Sequence, residues 1–501
     1  MSRYLLLIIA LMGSAHVHAG ISGKRPNIVF LLTDDQGYGD LSAHGNPVLK
    51  TPHLDQLRAE SIRFTNFQVS PTCAPTRSAL FTGRHEFKNG VTHTILERER
   101  LTLHAVTIAQ VLQSAGYATG IFGKWHLGDE AEYRPDRRGF SEVFIHGGGG
   151  IGQIYPGSCG DAPDNSYFYP FILHNGKFEK TNGYCTDVFY AQAARWIEAQ
   201  RTSGQPFFAY IPTNAPHGPY IAKPEDKALY EGKGLPADTE SFFGMIHNID
   251  ENVGKLLAKL GEWGIAEDTL VIFMNDNGGT AGVKVFNAGM HGAKGTAWIG
   301  GTRANSFWRW PGTLTPADCS ALAAHIDFFP TLAEISGAGV AGAAKAQVEG
   351  RSLVSLLDDP SAEWPDRNLF THQGRWPKLA DPNSAKYRMA AVRNSRWTLV
   401  SEKGAAEPSW QLFDLLADFG QQRDVAPQHP EIVDELSREF DRWWAECLPL
   451  MVNEKAMGPA INPFQEIYYQ QYGGSPTPDA LDRMNPQGAL TFGAGGKKKK
   501  G

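Results

Sequence analysis

The sequence has no apolar run approaching the about 20 residues that a membrane-spanning helix needs. It also lacks a large excess of either charge: 47 Lys plus Arg against 53 Asp plus Glu leave a formal charge of −6, which argues against a general nucleic-acid binder. Charged residues make up 20% of the chain, too few for a disordered polyelectrolyte. No internal repeat is present. Cysteine is scarce, with five residues, Cys73, Cys159, Cys185, Cys319 and Cys447. In an oxidising compartment an odd count leaves one thiol unpaired or chemically used.

What is present describes a globular protein. Apolar residues at 42% and aromatics at 11% can fill a large core. A length of 501 residues suits two or three domains, or one large α/β domain with a smaller companion. The 54 glycines and 31 prolines imply many turns and loops, where chemistry usually sits. The N-terminus carries Arg3, an apolar run over residues 5–12, and small or polar residues up to Ala19. This pattern predicts a secretory signal over residues 1–19 cleaved after Ala19, and a mature protein that is periplasmic or secreted.

From Pro26 the chain runs through Ile28-Val29-Phe30-Leu31-Leu32 into Asp34-Asp35-Gln36-Gly37-Tyr38-Gly39-Asp40. A buried strand that stops at carboxylates places them at the carboxyl edge of a sheet, where open α/β folds bind ligands. The figure recurs downstream, where Leu270-Val271-Ile272-Phe273 leads to Asn275-Asp276-Asn277-Gly278-Gly279. A third strand, Phe207-Phe208-Ala209-Tyr210-Ile211, ends before Ala215-Pro216-His217-Gly218-Pro219. Helical patterns over residues 107–113 and 186–200 lie between them. The alternation predicts an α/β fold with a large mixed, mostly parallel sheet sandwiched by helices.

After about residue 370 the texture changes. Short strands at Ala390-Ala391-Val392-Arg393, Trp397-Thr398-Leu399-Val400 and Trp410-Gln411-Leu412-Phe413-Asp414 precede a helix over 430–444. Ile432, Val433, Leu436, Phe440, Trp443 and Trp444 share one face of that helix. These elements predict a smaller C-terminal α+β domain, a short antiparallel sheet plus a helix. The expected division is 20–370 for the main domain, 371–490 for the smaller one and 491–501 for a disordered tail. Lys497 to Lys500 in that tail read as a solvated run and not as a binding site.

Asp34, Asp35, Asp276 and Asn277 offer only oxygen donors, a set that suits a hard cation. Calcium is favoured, with magnesium as the alternative. Cys73-Ala74-Pro75-Thr76-Arg77, followed by Leu80-Phe81-Thr82-Gly83-Arg84, resembles the modification motif of the formylglycine-dependent sulfatases of the alkaline phosphatase superfamily. The acidic glycine-rich stretch from Asp34, Gly123-Lys124-Trp125-His126-Leu127-Gly128, Asp276-Asn277-Gly278 and Lys294-Gly295-Thr296 stand in the order that family has. The resemblance runs from about Pro26 to Trp444, and residues 147–184 and the stretch after Trp444 carry no motif within it.

The resemblance implies that residues 20–370 form a catalytic sulfatase domain, and that a formylglycine-generating maturation enzyme oxidises Cys73 to formylglycine (3-oxoalanine). The hydrate then attacks sulfur beside a metal held by Asp34, Asp35, Asp276, Asn277 and position 73. Arg77 lies beside the nucleophile, and Lys294 holds the sulfate. His217, helped by Lys124 or Lys294, protonates the departing alcohol, and His126 then expels sulfate by taking a proton from the remaining hydroxyl. Read from the residues alone, Cys73 before a helix could also be an ordinary thiolate nucleophile. Setting Cys73 aside leaves four cysteines, of which Cys159 and Cys185 could close a loop. His53, His85, His93, His146 and His291 have no such motif support, and Arg303 in Gly300-Gly301-Thr302-Arg303 could simply tie a loop to the core.

The expected activity is therefore hydrolysis of sulfate esters, of a carbohydrate or a small molecule, with aryl sulfates as artificial substrates. The 27 Phe, 16 Tyr and 12 Trp permit stacking on sugar rings. A phosphonate or phosphate monoester hydrolase with the same nucleophile is the alternative within the superfamily. A sulfated-glycan binding protein without catalysis is the alternative from another class.

Overall fold

The computed structural model describes residues 20–155, 157–451 and 458–475. The expected signal segment and the Lys-rich tail lie outside them. Ten strands form one sheet in the order Ala317–Cys319, Ile62–Phe64, Ser306–Arg309, Thr269–Asn275, Asn27–Thr33, Phe207–Pro212, Ala118–Lys124, Glu142–His146, Phe171–His174, Lys177–Lys180. The five strands from Thr269–Asn275 to Glu142–His146 are mutually parallel, and Ser306–Arg309 and Phe171–His174 join them antiparallel. The sheet is thus mixed and mostly parallel at its centre.

Its apolar strands are continuous because both faces are covered. Ile28, Phe30 and Leu32 point into one core with Leu80, Leu112 and Leu332. Val29 and Leu31 point into the other with Phe189, Ile197, Ile249 and Val253. The helices Cys73–Thr82, Ile108–Ser114 and Phe328–Ile335 therefore cover one face, and Cys185–Ser203 and Ala237–Glu262 the other. Thr107 starts its helix with a capping box that includes Gln110.

A second sheet, antiparallel throughout, has the order Leu369–His372, Ala390–Arg393, Trp397–Ser401, Trp410–Asp414. The helix Pro430–Cys447 lays Leu436, Phe440, Trp443 and Trp444 against Val392, Leu399 and Leu412. Each fully buried large apolar side chain there contributes about 1.5–3 kcal/mol, enough to hold a small sheet to a single helix. Among the described residues no helix is long and apolar enough to cross a membrane.

The loop closure open to Cys159 and Cys185 is not made. Both are separate buried thiols, as are Cys73, Cys319 and Cys447. Each of the four outside the motif is sequestered from solvent, so packing alone accounts for it.

Candidate active site

The strands Asn27–Thr33 and Thr269–Asn275 run side by side in register, with Thr33 opposite Asn275. Their next residues, Asp34-Asp35 and Asp276-Asn277, therefore leave the sheet together. Asp276 Oδ1 accepts the backbone N–H of Asp35 at 3.3 Å, and Asn277 Nδ2 donates to Asp35 Oδ1 at 3.0 Å. The strand Ala118–Lys124 ends with Lys124 and leads to His126, while Phe207–Pro212 leads to His217. Cys73 is the first residue of its helix, after the extended Thr72. All the predicted site residues thus converge on the carboxyl edge of the parallel strands.

Three cations meet three carboxylates there. Lys124 Nζ donates to Asp34, and Lys294 Nζ lies 2.5 Å from Asp35 Oδ1. Arg77 places Nε and Nη2 on Asp276 Oδ2 at 3.2 and 2.8 Å, and Nη1 on the Lys124 carbonyl at 2.9 Å. Burial would raise the Asp35 carboxyl, but Lys294 and His217 hold it well below the ordinary range. Burial raises Asp34 against the pull of Lys124, and pushes Asp276 up to about 6 with the Asp34 charge adding to it. Three cations balance three carboxylates in number, and a further positive charge would favour the ionised forms of Asp34 and Asp276 that burial opposes.

The donor chemistry points to what would supply that charge. Asp34 Oδ1 and Asn277 Oδ1 are buried without a hydrogen-bond partner, which is costly unless a ligand fills the gap. Ligand atoms of Asp34, Cys73 and Asp276 lie within 4.8 Å of one another, as do those of Asp34, Asp35 and His217. Oxygen donors dominate, so these residues fit a hard divalent cation.

Cys73 Sγ lies 3.4 Å from His126 Nδ1, and His126 Nε2 meets the Thr94 carbonyl at 2.7 Å. A carbonyl can only accept, so Nε2 carries the hydrogen and Nδ1 presents its lone pair to position 73. Burial, reinforced by Lys124, holds His126 well below its ordinary pKa and keeps it neutral. Burial also raises the Cys73 thiol, outweighing Lys124. A thiol raised in this way disfavours an ordinary thiolate at position 73.

His217 Nδ1 donates to the Gly218 carbonyl at 2.7 Å, and its Nε2 lies 3.8 Å from Asp35 Oδ2. Burial depresses its pKa to about 3 despite Asp35. The ring is therefore neutral as it stands, and to act as an acid it must be charged by an arriving anion.

Above this base lies a cleft of about 160 Å³ lined by Cys73, His126, His217, Lys294 and five residues that carry no motif, Thr94, Ile95, Gln153, Tyr155 and Arg375, with Gly149 completing it. Gly149 had a sequence signal in the run Gly147-Gly148-Gly149-Gly150. A Cβ at Gly149 would stand 2.8 Å from Cε1 and Nε2 of His126, so glycine lets this wall press on the ring. The wall is held by buried carboxylates: Asp129 accepts from the N–H groups of Gly148 and Gly160, and Asp161 from those of Gly147, Gly152 and Ala162. Thr94 and Arg375 had no signal, because one contributes a carbonyl and the other comes from the C-terminal sheet.

A larger cavity of about 350 Å³, lined by His85, His325, Arg393 and Trp443, lies against the Leu369–His372 strand and the Pro430–Cys447 helix and contains none of the predicted residues. His291 stacks on Trp298 with ring centroids 4.1 Å apart. Arg303 donates to the Thr65 carbonyl and packs on Tyr38, and so ties its loop to the core.

Known proteins resemble this chain over most of its length. The family model described as Sulfatase matches residues 26–338. Human arylsulfatase A is 34% identical over 390 residues, covering 74% of this chain and 73% of its own. Mouse N-acetylgalactosamine-6-sulfatase is 30% identical over 395 residues, covering 74% and 73%. The crystal structure of Ps i-CgsB in complex with k-i-k-neocarrahexaose superposes with a TM-score of 0.75 at 27% identity, over 89% of this chain and 97% of that one.

Proposed function

Because the chain belongs to the sulfatase family and is a sulfuric ester hydrolase, we propose that it cleaves sulfate esters of carbohydrates with a formylglycine made from Cys73, in a cleft that holds calcium. The observation that carries this reading is Cys73 at a helix start, 3.4 Å from a neutral His126 Nδ1 and beside the oxygens of Asp34 and Asp276. Relatives named for a sugar sulfate and solved with k-i-k-neocarrahexaose support a carbohydrate ester.

Each residue has a distinct task. Formylglycine would supply a hydroxyl nucleophile, and a divalent cation on Asp34, Asp35, Asp276 and Asn277 would supply Lewis-acid charge at the sulfate oxygens. Lys124 and Lys294 bind the non-bridging oxygens and stabilise charge that grows as the ester bond breaks. Arg77 spends its N–H groups on Asp276 and the Lys124 carbonyl, so it acts as a positioning residue. His217 Nε2, charged as the anion enters, hands its proton to the departing alcohol oxygen. His126 Nδ1, with the ring hydrogen fixed on Nε2 by Thr94, takes the proton of the remaining hydroxyl at position 73, so that the carbon–oxygen bond to sulfate breaks, sulfate leaves and the aldehyde returns. The expected export through residues 1–19 would bring the enzyme to extracellular or periplasmic glycans.

The test is production with and without a formylglycine-generating enzyme, followed by peptide mass spectrometry and a sulfate-release assay on sulfated polysaccharides, oligosaccharides, aryl sulfates and an aryl phosphonate. The expected result is an aldehyde at position 73 and release of sulfate only from matured protein. An unmodified thiol in fully active enzyme would remove the proposed nucleophile. Faster turnover of the phosphonate would favour the phosphonate hydrolase alternative.

A further inference from the structure

We infer that Arg375 recognises a second anionic group on the substrate, a carboxylate or a further sulfate, next to the ester that is cleaved. The inference rests on the proposed function and narrows its substrate class to polyanionic glycans. The cations at the base of the cleft are already matched, Lys124 with Asp34, Arg77 with Asp276 and Lys294 with Asp35. Arg375 lines the same cleft as Cys73 and Lys294. It reaches only neutral groups, Thr94 Oγ1 and His93 Nε2, each at 3.2 Å. No carboxylate among the described residues pairs with it.

The contact with His93 is itself incomplete. His93 Nδ1 accepts the backbone N–H groups of Thr94 and Ile95 at 2.8 and 3.1 Å. A neutral imidazole has one lone pair, so Nε2 carries the hydrogen and faces an Arg375 N–H, donor against donor. Part of the guanidinium of this cleft-lining residue is thus left without an acceptor inside the protein. A substrate anion would fill that role with a charge-assisted, bidentate geometry.

Arg375 is also held in place. Arg98 donates to the carbonyls of Gly374 and Trp376 at 2.6 and 3.0 Å, and Gln373 donates to the Gly295 carbonyl, next to Lys294, at 2.6 Å. Gly374 has φ +72°, and a Cβ there would fall 1.7 Å from the Thr92 carbonyl oxygen. The loop is clamped from both sides of the residue, so the backbone that carries the guanidinium is ordered before substrate binds, which lowers the ordering cost of binding.

The experiment compares wild type, Arg375→Gln and Arg375→Lys on three substrates: nitrophenyl sulfate, a monosulfated disaccharide carrying a uronate, and a disulfated disaccharide. Arg375→Gln should lose about 10- to 100-fold more kcat/KM on a dianionic substrate than on nitrophenyl sulfate, mainly through KM, and Arg375→Lys should recover part of it. The uronate and disulfate arms identify which anion is read. Binding of the disulfated disaccharide is measured in parallel by calorimetry in a Cys73→Ser background. Equal losses on all three substrates, or unchanged binding in Cys73→Ser/Arg375→Gln, would overturn the inference. If matured wild type released no sulfate from any ester while that binding still depended on Arg375, the proposed function would fail and the anion site would stand.

Discussion

The Thr94 carbonyl fixes the hydrogen of His126 on Nε2, 2.7 Å away, and so turns the lone pair of Nδ1 toward Cys73. A ring held this way can take a proton from position 73 but cannot give one to a leaving group. His126 and His217 should therefore fail differently. His217→Ala should cost about 10²–10⁴-fold on sugar sulfates and far less on nitrophenyl sulfate, whose phenolate leaves unaided. His126→Ala should slow both and release about one equivalent of nitrophenol before stalling. Stopped-flow traces on the two substrates decide this, and equal losses for His217→Ala without a burst for His126→Ala would exchange the roles or give the proton transfer to the lysines.

Asp34→Ala, Asp35→Ala and Asp276→Ala should each lower bound divalent metal and activity together, because each removes a ligand and its charge. Asn277→Ala should be milder. Asp276→Ala also leaves Arg77 buried without its main partner, at about 3–5 kcal/mol, so its melting temperature should fall while that of Asp276→Asn falls less. Metal analysis by mass spectrometry beside calorimetry separates the two effects. Full metal occupancy in both Asp276 variants would remove that strand end from the site.

Gly149→Ala should damage catalysis more than folding. The added methyl would meet the His126 ring, which Thr94 prevents from yielding, and a displacement of about 1 Å in a reacting group can cost 10²-fold. The expected result is a kcat reduced about 10- to 100-fold with a nearly unchanged melting temperature. A fully active variant would mean that the wall gives way and the ring does not depend on it.

Stability should fall as pH rises from about 4 to 8. Burial pushes Asp129 up to about 8 and Glu99 up to about 7, above their ordinary values near 4. For such a raised group the stabilisation is complete below the unfolded pKa and is lost as pH climbs through the folded one, at up to about 1.4 kcal/mol per pH unit for each. Melting temperatures from pH 5 to 9 should decline in wild type and flatten in Asp129→Asn. Parallel curves would show that Asp129 is ionised throughout.

The base of the site was legible because charge follows apolar runs abruptly. Asp34 after Leu32 and Asp276 after Phe273 announce strand ends, and parallel pairing of those strands brings them together. The face of the Pro430–Cys447 helix was legible from the spacing of Leu436, Phe440 and Trp443. The walls were not. Thr94 acts through a carbonyl, which every residue has, and the position of Arg375 depends on how the second sheet docks through Arg98. The pairing of Cys159 with Cys185 stayed open in the sequence, because spacing says nothing about where a buried side chain ends up, and the structure keeps both as free thiols.

Strand ends and the start of the Cys73–Thr82 helix supply the chemistry of this cleft, whereas its walls come from residues 94–95 and 147–155 and from the loop after the Leu369–His372 strand. The two are therefore separable in engineering terms. Exchanging the wall segments between relatives should move glycan preference while leaving the hydrolytic apparatus in register, provided that Gly149, Gly374 and the Arg98 anchor are transplanted with them.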